Sequence, residues 1–255
     1  MSVAPGSILG WMAIRDLLKS RDALSGSFVD AGCGEGWFSY QLVKLGFRQG
    51  LAIEPSEVAF SRAQARVGPL VNGSVKLLNC RLNQLESDSV FDLGCAFTVI
   101  EHIEDDISFV RDLKSRFRSG GHVVVTVPAR DDKWTLEDDL AGHLRRYTRD
   151  SLEAVMSAGG LTSDLEIVEM GFPLINITEV ARNEILRRKS AGKQRPSKSQ
   201  QTAISGVWDS KWYNTFPRIL GLLVNECTLR PIHWIQKKFN KSPRCVMQIA
   251  IAQVD

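Results

Sequence analysis

The chain predicts an α/β fold, a doubly wound and mostly parallel sheet with helices on both faces. Three observations predict it. Short apolar runs at 27–31, 50–54, 75–79, 91–97, 121–127 and 165–171 alternate with stretches of helical spacing. The first run, Phe28-Val29-Asp30-Ala31, enters a Gly32-Cys33-Gly34-Glu35-Gly36 turn and then an apolar helix pattern of Phe38, Leu42, Val43 and Leu45, closed by Gly46. A last apolar run, Val246 to Ala252, reads as a further buried strand.

The elements between the strands follow from their signals. Ile8, Trp11, Met12 and Leu18 mark an amphipathic N-terminal helix within 1–24. Pro55 and Ser56 open a helix that runs to about Arg66. Asp105 or Asp106 caps another, with Ile107, Val110, Leu113 and Phe117 on one face and Gly120-Gly121 at its end. Thr148 caps a third, with Leu152, Val155 and Met156 inward and Gly159-Gly160 closing it. After Gly171-Phe172-Pro173 the alternation stops. Residues 174–186 read as a helix, 187–198 as a basic loop with six cations and no acid, and 207–239 as an aromatic-rich helical stretch. The partition is therefore 1–24, a core over 25–173, a helical insertion over 174–244, and a last core strand over 245–255.

Composition narrows the function classes. A chain of 255 residues with 44% hydrophobic and 24% charged residues fits one large α/β domain with an insertion, or two small domains. A net charge of +3 is too mild to argue for nucleic-acid binding. No run of 18 apolar residues predicts a membrane span. The N-terminal apolar residues are interrupted by Arg15 and Asp16, which is unlike a secretory signal. Five cysteines without C-x-x-C spacing read as reduced core thiols. We expect a cytoplasmic protein without a metal centre.

The glycine turn carries the first chemistry. Glycines tolerate positive φ and let a ligand approach the backbone, and the helix behind them offers free N–H groups. The dinucleotide fingerprint wants a glycine where Trp37 stands, and Asp30 would repel a pyrophosphate. Both details favour a cationic or zwitterionic nucleoside ligand over NAD. Glu54, at the end of the second strand, can accept hydrogen bonds from two vicinal ribose hydroxyls.

Asp30-Ala-Gly-Cys-Gly-Glu-Gly resembles the first motif of class I S-adenosylmethionine (SAM) methyltransferases. The resemblance continues through Gly50-Leu-Ala-Ile-Glu54-Pro-Ser, Phe91-Asp92-Leu93, Ile100-Glu101-His102-Ile103-Glu104-Asp105 and Gly120-Gly121-His122-Val-Val-Val-Thr126-Val127-Pro128, covering about 25–172. It implies a Rossmann-like sheet of seven strands, the last inserted antiparallel beside the fifth, with a helical cap. It also implies SAM over Asp30, Gly32, Gly34, Gly36 and Glu54, with Phe97 beneath the methyl donor, and leaves the adenine to backbone groups near Leu82 or to the Asn83 side chain. Arg81 stands where the family often has an acid, and it cannot accept the adenine amino protons. Gly142-His143-Leu144-Arg145-Arg146-Tyr147-Thr148 resembles a bacterial subset linked to glycan and secondary-metabolite pathways.

His143 falls after the fifth strand, near the carboxyl edge of the sheet, where such sheets bind ligands. A neutral imidazole there can take the proton of an attacking hydroxyl. His102 is the competing base, and it can equally be a metal ligand or a structural residue. Arg145, Arg146 and Tyr147 can hold an anionic acceptor, or instead tie the loop to Asp138 or Asp139. We expect a SAM-dependent methyltransferase acting on a small-molecule hydroxyl of a sugar, lipid-linked glycan or natural product. N- or C-methylation, and a non-catalytic SAM-binding scaffold, are the alternatives. Expected partners are the acceptor and, through the basic loop and aromatic stretch, the surface of an anionic membrane, with no nucleic acid.

Overall fold

A computed structural model describes residues 4–71, 73–85, 90–173, 175–176, 183–184, 187–188 and 224–255. Seven strands form one sheet: β1 (Ser27–Ala31), β2 (Gln49–Ile53), β3 (Val75–Leu78), β4 (Phe91–Phe97), β5 (Phe117–Pro128), β6 (Ser163–Met170) and β7 (Met247–Gln253). Their spatial order is β3-β2-β1-β4-β5-β7-β6. The pairs among β1 to β5 are parallel, and β7 runs antiparallel between β5 and β6. This is the Rossmann-like, doubly wound sheet with an antiparallel last strand.

Alternation along the strands builds one core on each face. Val29 and Ala31 pack with Leu51, Ile53, Val110, Leu113, Leu152 and Met156 on one side. Phe28, Ala52, Leu93 and Cys95 pack with Leu42 and with Trp11, Ile14 and Leu18 on the other. Helices among the described residues include α1 (Pro5–Ser20), α2 (Trp37–Leu45), α3 (Glu57–Arg66), α4 (Gly68–Val71), α5 (Asp106–Lys114), α6 (Leu136–Ala141), α7 (Arg149–Ala158) and α8 (Glu226–Lys237). Side-chain caps set several starts: Ser56 accepts from the Ala59 N–H, Asp105 from Ser108 and Thr148 from Ser151. Helix α1 buries Ile8, Leu9, Trp11, Met12 and Ile14. It is tied to α8 by Arg15–Glu226 and by Asp16, which accepts from His233 and Lys237.

The largest boundary difference from the sequence reading lies between α5 and β5. Helix α5 ends at Lys114, and Phe117 and Gly120-Gly121 belong to β5. The reason is steric. Phe117 pairs with Phe91, and its ring occupies the space left by Gly94, where a Cβ would come 2.3 Å from the ring. Phe28 uses its register partner Gly50 in the same way. The expected helix over 174–186, the basic loop 187–198 and the aromatic stretch up to 223 lie almost wholly outside the described residues. Among the described residues, no helix is long and apolar enough to cross a membrane.

These aromatic–glycine pairs make a direct prediction. Gly50→Ala places a methyl group against the Phe28 ring and should destabilise the fold by about 1–3 kcal/mol through overpacking. Urea denaturation measures this, and Phe28→Leu in the Gly50→Ala background should recover part of the loss. An unchanged midpoint in Gly50→Ala contradicts the packing.

Candidate active site

Strand order reverses at β1, whose neighbours β2 and β4 lead away in opposite directions. Open α/β sheets bind ligands at the carboxyl ends of strands at such a point. The glycine turn sits there. Gly32, Gly34 and Gly36 have φ of 77°, 55° and 79°, a region that favours glycine. A Cβ on Gly32 would also come 2.6 Å from Val99. The turn is pinned from β2: the N–H groups of Gly32 and Cys33 both donate to the Ile53 carbonyl, at 2.8 and 2.9 Å. Glu35 pairs with Arg62 and Arg66 of α3.

Glu54 closes the turn. One carboxylate oxygen accepts from the Gly34 N–H and the other from the Ser56 N–H, both at 2.8 Å. Each oxygen keeps a second lone pair. Burial raises its pKa, against those two hydrogen bonds. Asp30, fully buried, accepts from the Ser39 hydroxyl at 2.5 Å through Oδ2, while Oδ1 has no hydrogen-bond partner among the described residues. Burial pushes its carboxyl up to about 7, with Ser39 pulling down and the charge of Glu54 adding to the rise. Phe97 stacks on Phe38, ring centroids 4.1 Å apart. The Leu82 side chain is buried in the core, so only its backbone remains for a ligand edge, and Arg81 beside it is exposed.

A second group of side chains gathers beyond β4 and β5. The turn Ile100–His102 carries Glu101 and His102, and Gly142, in the left-handed region after α6, brings in His143. His143 donates from Nδ1 to Asp138 Oδ1 at 2.7 Å, while its Nε2 lies 3.9 Å from a Glu101 oxygen. The two imidazoles meet edge-on, centroids 4.8 Å apart. Glu101 is fully buried, and neither of its carboxylate oxygens has a hydrogen-bond partner among the described residues. Burial pushes Glu101 up to about 7, partly offset by His143. Burial, with His143 alongside, pushes His102 down to about 4. Burial also pulls His143 down, but the hydrogen bond to Asp138 and the charge of Glu101 outweigh it and raise the imidazole above its ordinary value.

Asp138 organises this loop. It accepts from Thr135 N–H and hydroxyl, from His143 and from Arg146 Nε. Burial works to raise its pKa, and the His143 and Arg146 hydrogen bonds outweigh that and hold it well below the usual carboxylate range. The Gly-His-x-Arg-Arg-Tyr residues thus do different work. Arg146 is buried on Asp138 and the Ala129 carbonyl. Tyr147 is buried and donates to Asp106 and the Ile100 carbonyl, with burial and Asp106 pushing its pKa up. Arg145 bridges to Asp106 and the Glu104 carbonyl, with its guanidinium partly exposed. The structure therefore brings together His143, His102 and Glu101, and turns Arg146 and Tyr147 inward as supports. Asp106, the partner of both Arg145 and Tyr147, had no local signal beyond its place near a helix start.

The comparisons with known proteins agree with this architecture. A family model described as a methyltransferase domain matches residues 10–166. The chain is 23% identical over 117 residues to a mitochondrial ubiquinone-biosynthesis O-methyltransferase of Schizosaccharomyces pombe, covering 45% of this chain and 43% of the relative. It is 24% identical over 181 residues to a tRNA U34 carboxymethyltransferase of Alteromonas mediterranea, covering 68% of this chain and 51% of the relative. The chain thus spans about half the length of these curated relatives. A Galdieria sulphuraria protein assigned as a sarcosine dimethylglycine methyltransferase shares the fold with a TM-score of 0.63 at 12% identity, over 96% of this chain and 85% of its own.

The loop architecture predicts that Asp138→Ala removes the buried carboxylate that Arg146, His143 and Thr135 share. The fold should lose about 3–5 kcal/mol, read from chemical denaturation. A loss under about 1 kcal/mol contradicts the role given to Asp138. With the sheet order, the glycine turn and the matched family model together, the chain belongs to the methyltransferase-domain family.

Proposed function

We propose that this protein transfers a methyl group from SAM to a hydroxyl of a small molecule. The donor half rests on Asp30: a fully buried carboxylate with one unpartnered oxygen, below three left-handed glycines, fits a ligand that carries positive charge. Glu54 suits a ribose, because both oxygens stay fixed by backbone N–H groups while offering their remaining lone pairs. Bound SAM supplies an electrophilic methyl group on a sulfonium. The chain's own part is to place donor and acceptor in line, which can provide most of the acceleration.

For the acceptor, His143 Nε2 is the group we assign to the hydroxyl. Asp138 holds the Nδ1–H and thereby leaves the lone pair on Nε2, beside Glu101 and His102. Arg145, Arg146 and Tyr147 contribute by shaping this loop, and Arg145 can also meet an anionic acceptor group. We read 174–244 as an insertion that caps the acceptor side in a cytoplasmic enzyme. The acceptor we propose is a sugar, lipid-linked glycan or natural product. The O-methyltransferase among the relatives is consistent with oxygen as the acceptor atom. The tRNA-modifying relatives mean that composition alone does not rule out a nucleic acid, so RNA belongs among the acceptors tested.

Two experiments test this reading. Calorimetric titration of SAM should show affinity strengthening as pH rises through about 7, because Asp30 ionises there and the ligand is cationic. Among the described residues, the charge of Glu54 also acts on Asp30. Asp30→Asn should bind more weakly and lose most of that pH dependence, and Glu54→Ala should lose about 1–3 kcal/mol of binding. A pH-independent wild type with unchanged affinity in both variants contradicts the site. Methyl transfer with labelled SAM is the second test. His143→Ala should lower turnover on a hydroxyl acceptor by about 10²-fold or more with SAM affinity nearly intact. Normal turnover in that variant contradicts the acceptor assignment, and SAM binding with no transfer to any acceptor favours a binding protein.

A further inference from the structure

We propose that Glu101, His102 and His143 form a binding site for one divalent first-row transition-metal ion. It departs from the expectation of no metal centre: His102 alone read as a possible ligand, and the third group comes from a distant loop. In the fold, one ligand atom from each lies within 4.8 Å of the other two.

Three features beyond proximity point to a cation. Glu101 is fully buried with both carboxylate oxygens lacking a hydrogen-bond partner among the described residues, an arrangement that a bound cation would satisfy. His143 gives its Nδ1–H to Asp138 at 2.7 Å, the carboxylate support that fixes a metal-binding imidazole with Nε2 as donor atom. Asp138 is itself held by Thr135 and Arg146, so the support is rigid. The Gly142 carbonyl lies 3.4 Å from His102 Nδ1, and a proton shared there leaves Nε2 with a lone pair.

The donor set chooses the ion class. Two imidazole nitrogens and one carboxylate suit zinc, manganese, iron or cobalt, whereas magnesium and calcium prefer all-oxygen sites. Ligand distances of about 2.0–2.2 Å put ligand atoms about 3–3.5 Å apart. The widest pair must therefore close by more than about 1 Å. With His143 held on Asp138, rotation of the Glu101 and His102 side chains on their three-residue turn would supply that movement.

Three protein ligands leave coordination positions open. The role of those positions rests on the methyl-transfer reading. The acceptor hydroxyl coordinates, its proton leaves to solvent, and its oxygen forms the new C–O bond as the methyl–sulfur bond breaks with the electron pair remaining on sulfur. His143 then acts through the metal and not by taking the proton itself.

Cobalt(II) titration of chelator-treated full-length protein tests the site without needing any acceptor. Visible absorption should show one Co²⁺ per chain, and SAM calorimetry on the same samples should confirm an intact fold. Glu101→Gln and His143→Ala should each weaken Co²⁺ binding by about 10²-fold or more while SAM still binds. Absence of a visible spectrum, or unchanged Co²⁺ affinity in both variants, overturns the site. Where Co²⁺ binds as expected, loss of methyl transfer on chelation and its return with metal support the acceptor role. Full transfer by the metal-free enzyme overturns that role and leaves methyl transfer itself standing.

Discussion

The arrangement depends on the reversal of strand order between β2-β1 and β4-β5. Parallel strands on both sides of that point end at the same edge, so the turns after β1, β2, β4 and β5 must meet there. Backbone hydrogen bonding sets the edge before any side chain contributes. Ile53 at the end of β2 accepts both N–H groups of the first turn, and Thr98 after β4 donates to Thr126 of β5. Four loops far apart in sequence thereby become one surface.

That edge gathers acidic groups that the fold alone does not need. Asp30 and Glu101 are both fully buried and both lack partners for at least one oxygen. Asp138, equally buried, is fully used by four donors. The contrast separates roles. A carboxylate satisfied on every side builds a loop, while one left open in the interior raises the energy of the empty protein and is relieved by a positive ligand. Two such openings lie on one edge, one under the glycine turn and one beside the histidines. On the proposed reading, donor and acceptor chemistry would have separate electrostatic anchors within a single sheet.

Much of this was legible in the sequence, because strands and caps are local. The β1 turn, the Ser56, Asp105 and Thr148 caps, and the buried runs of β4 and β7 all follow from alternation and capping residues. Phe117 was misread because it continues the helical spacing of Val110 and Leu113. Only the strand partner Phe91 and the vacancy at Gly94 reveal that it belongs to β5. Side-chain partnerships were harder. Asp138 pairs with Arg146 as its neighbourhood allowed, but Arg145 and Tyr147 both choose Asp106 on another element. The meeting of Glu101 with His143 had no sequence signal, because it is created by the return of the loop after β5.

The central claim is that the first turn is a nucleoside site charged for a sulfonium amino acid. A crystal structure with S-adenosylhomocysteine tests it most directly. The account predicts the ribose hydroxyls on Glu54, the glycine turn against the amino-acid portion, and a hydrogen bond or water bridge from its ammonium to Asp30 Oδ1. A nucleoside bound away from the β1 turn, or one that leaves Asp30 Oδ1 and Glu54 without new partners, would contradict it.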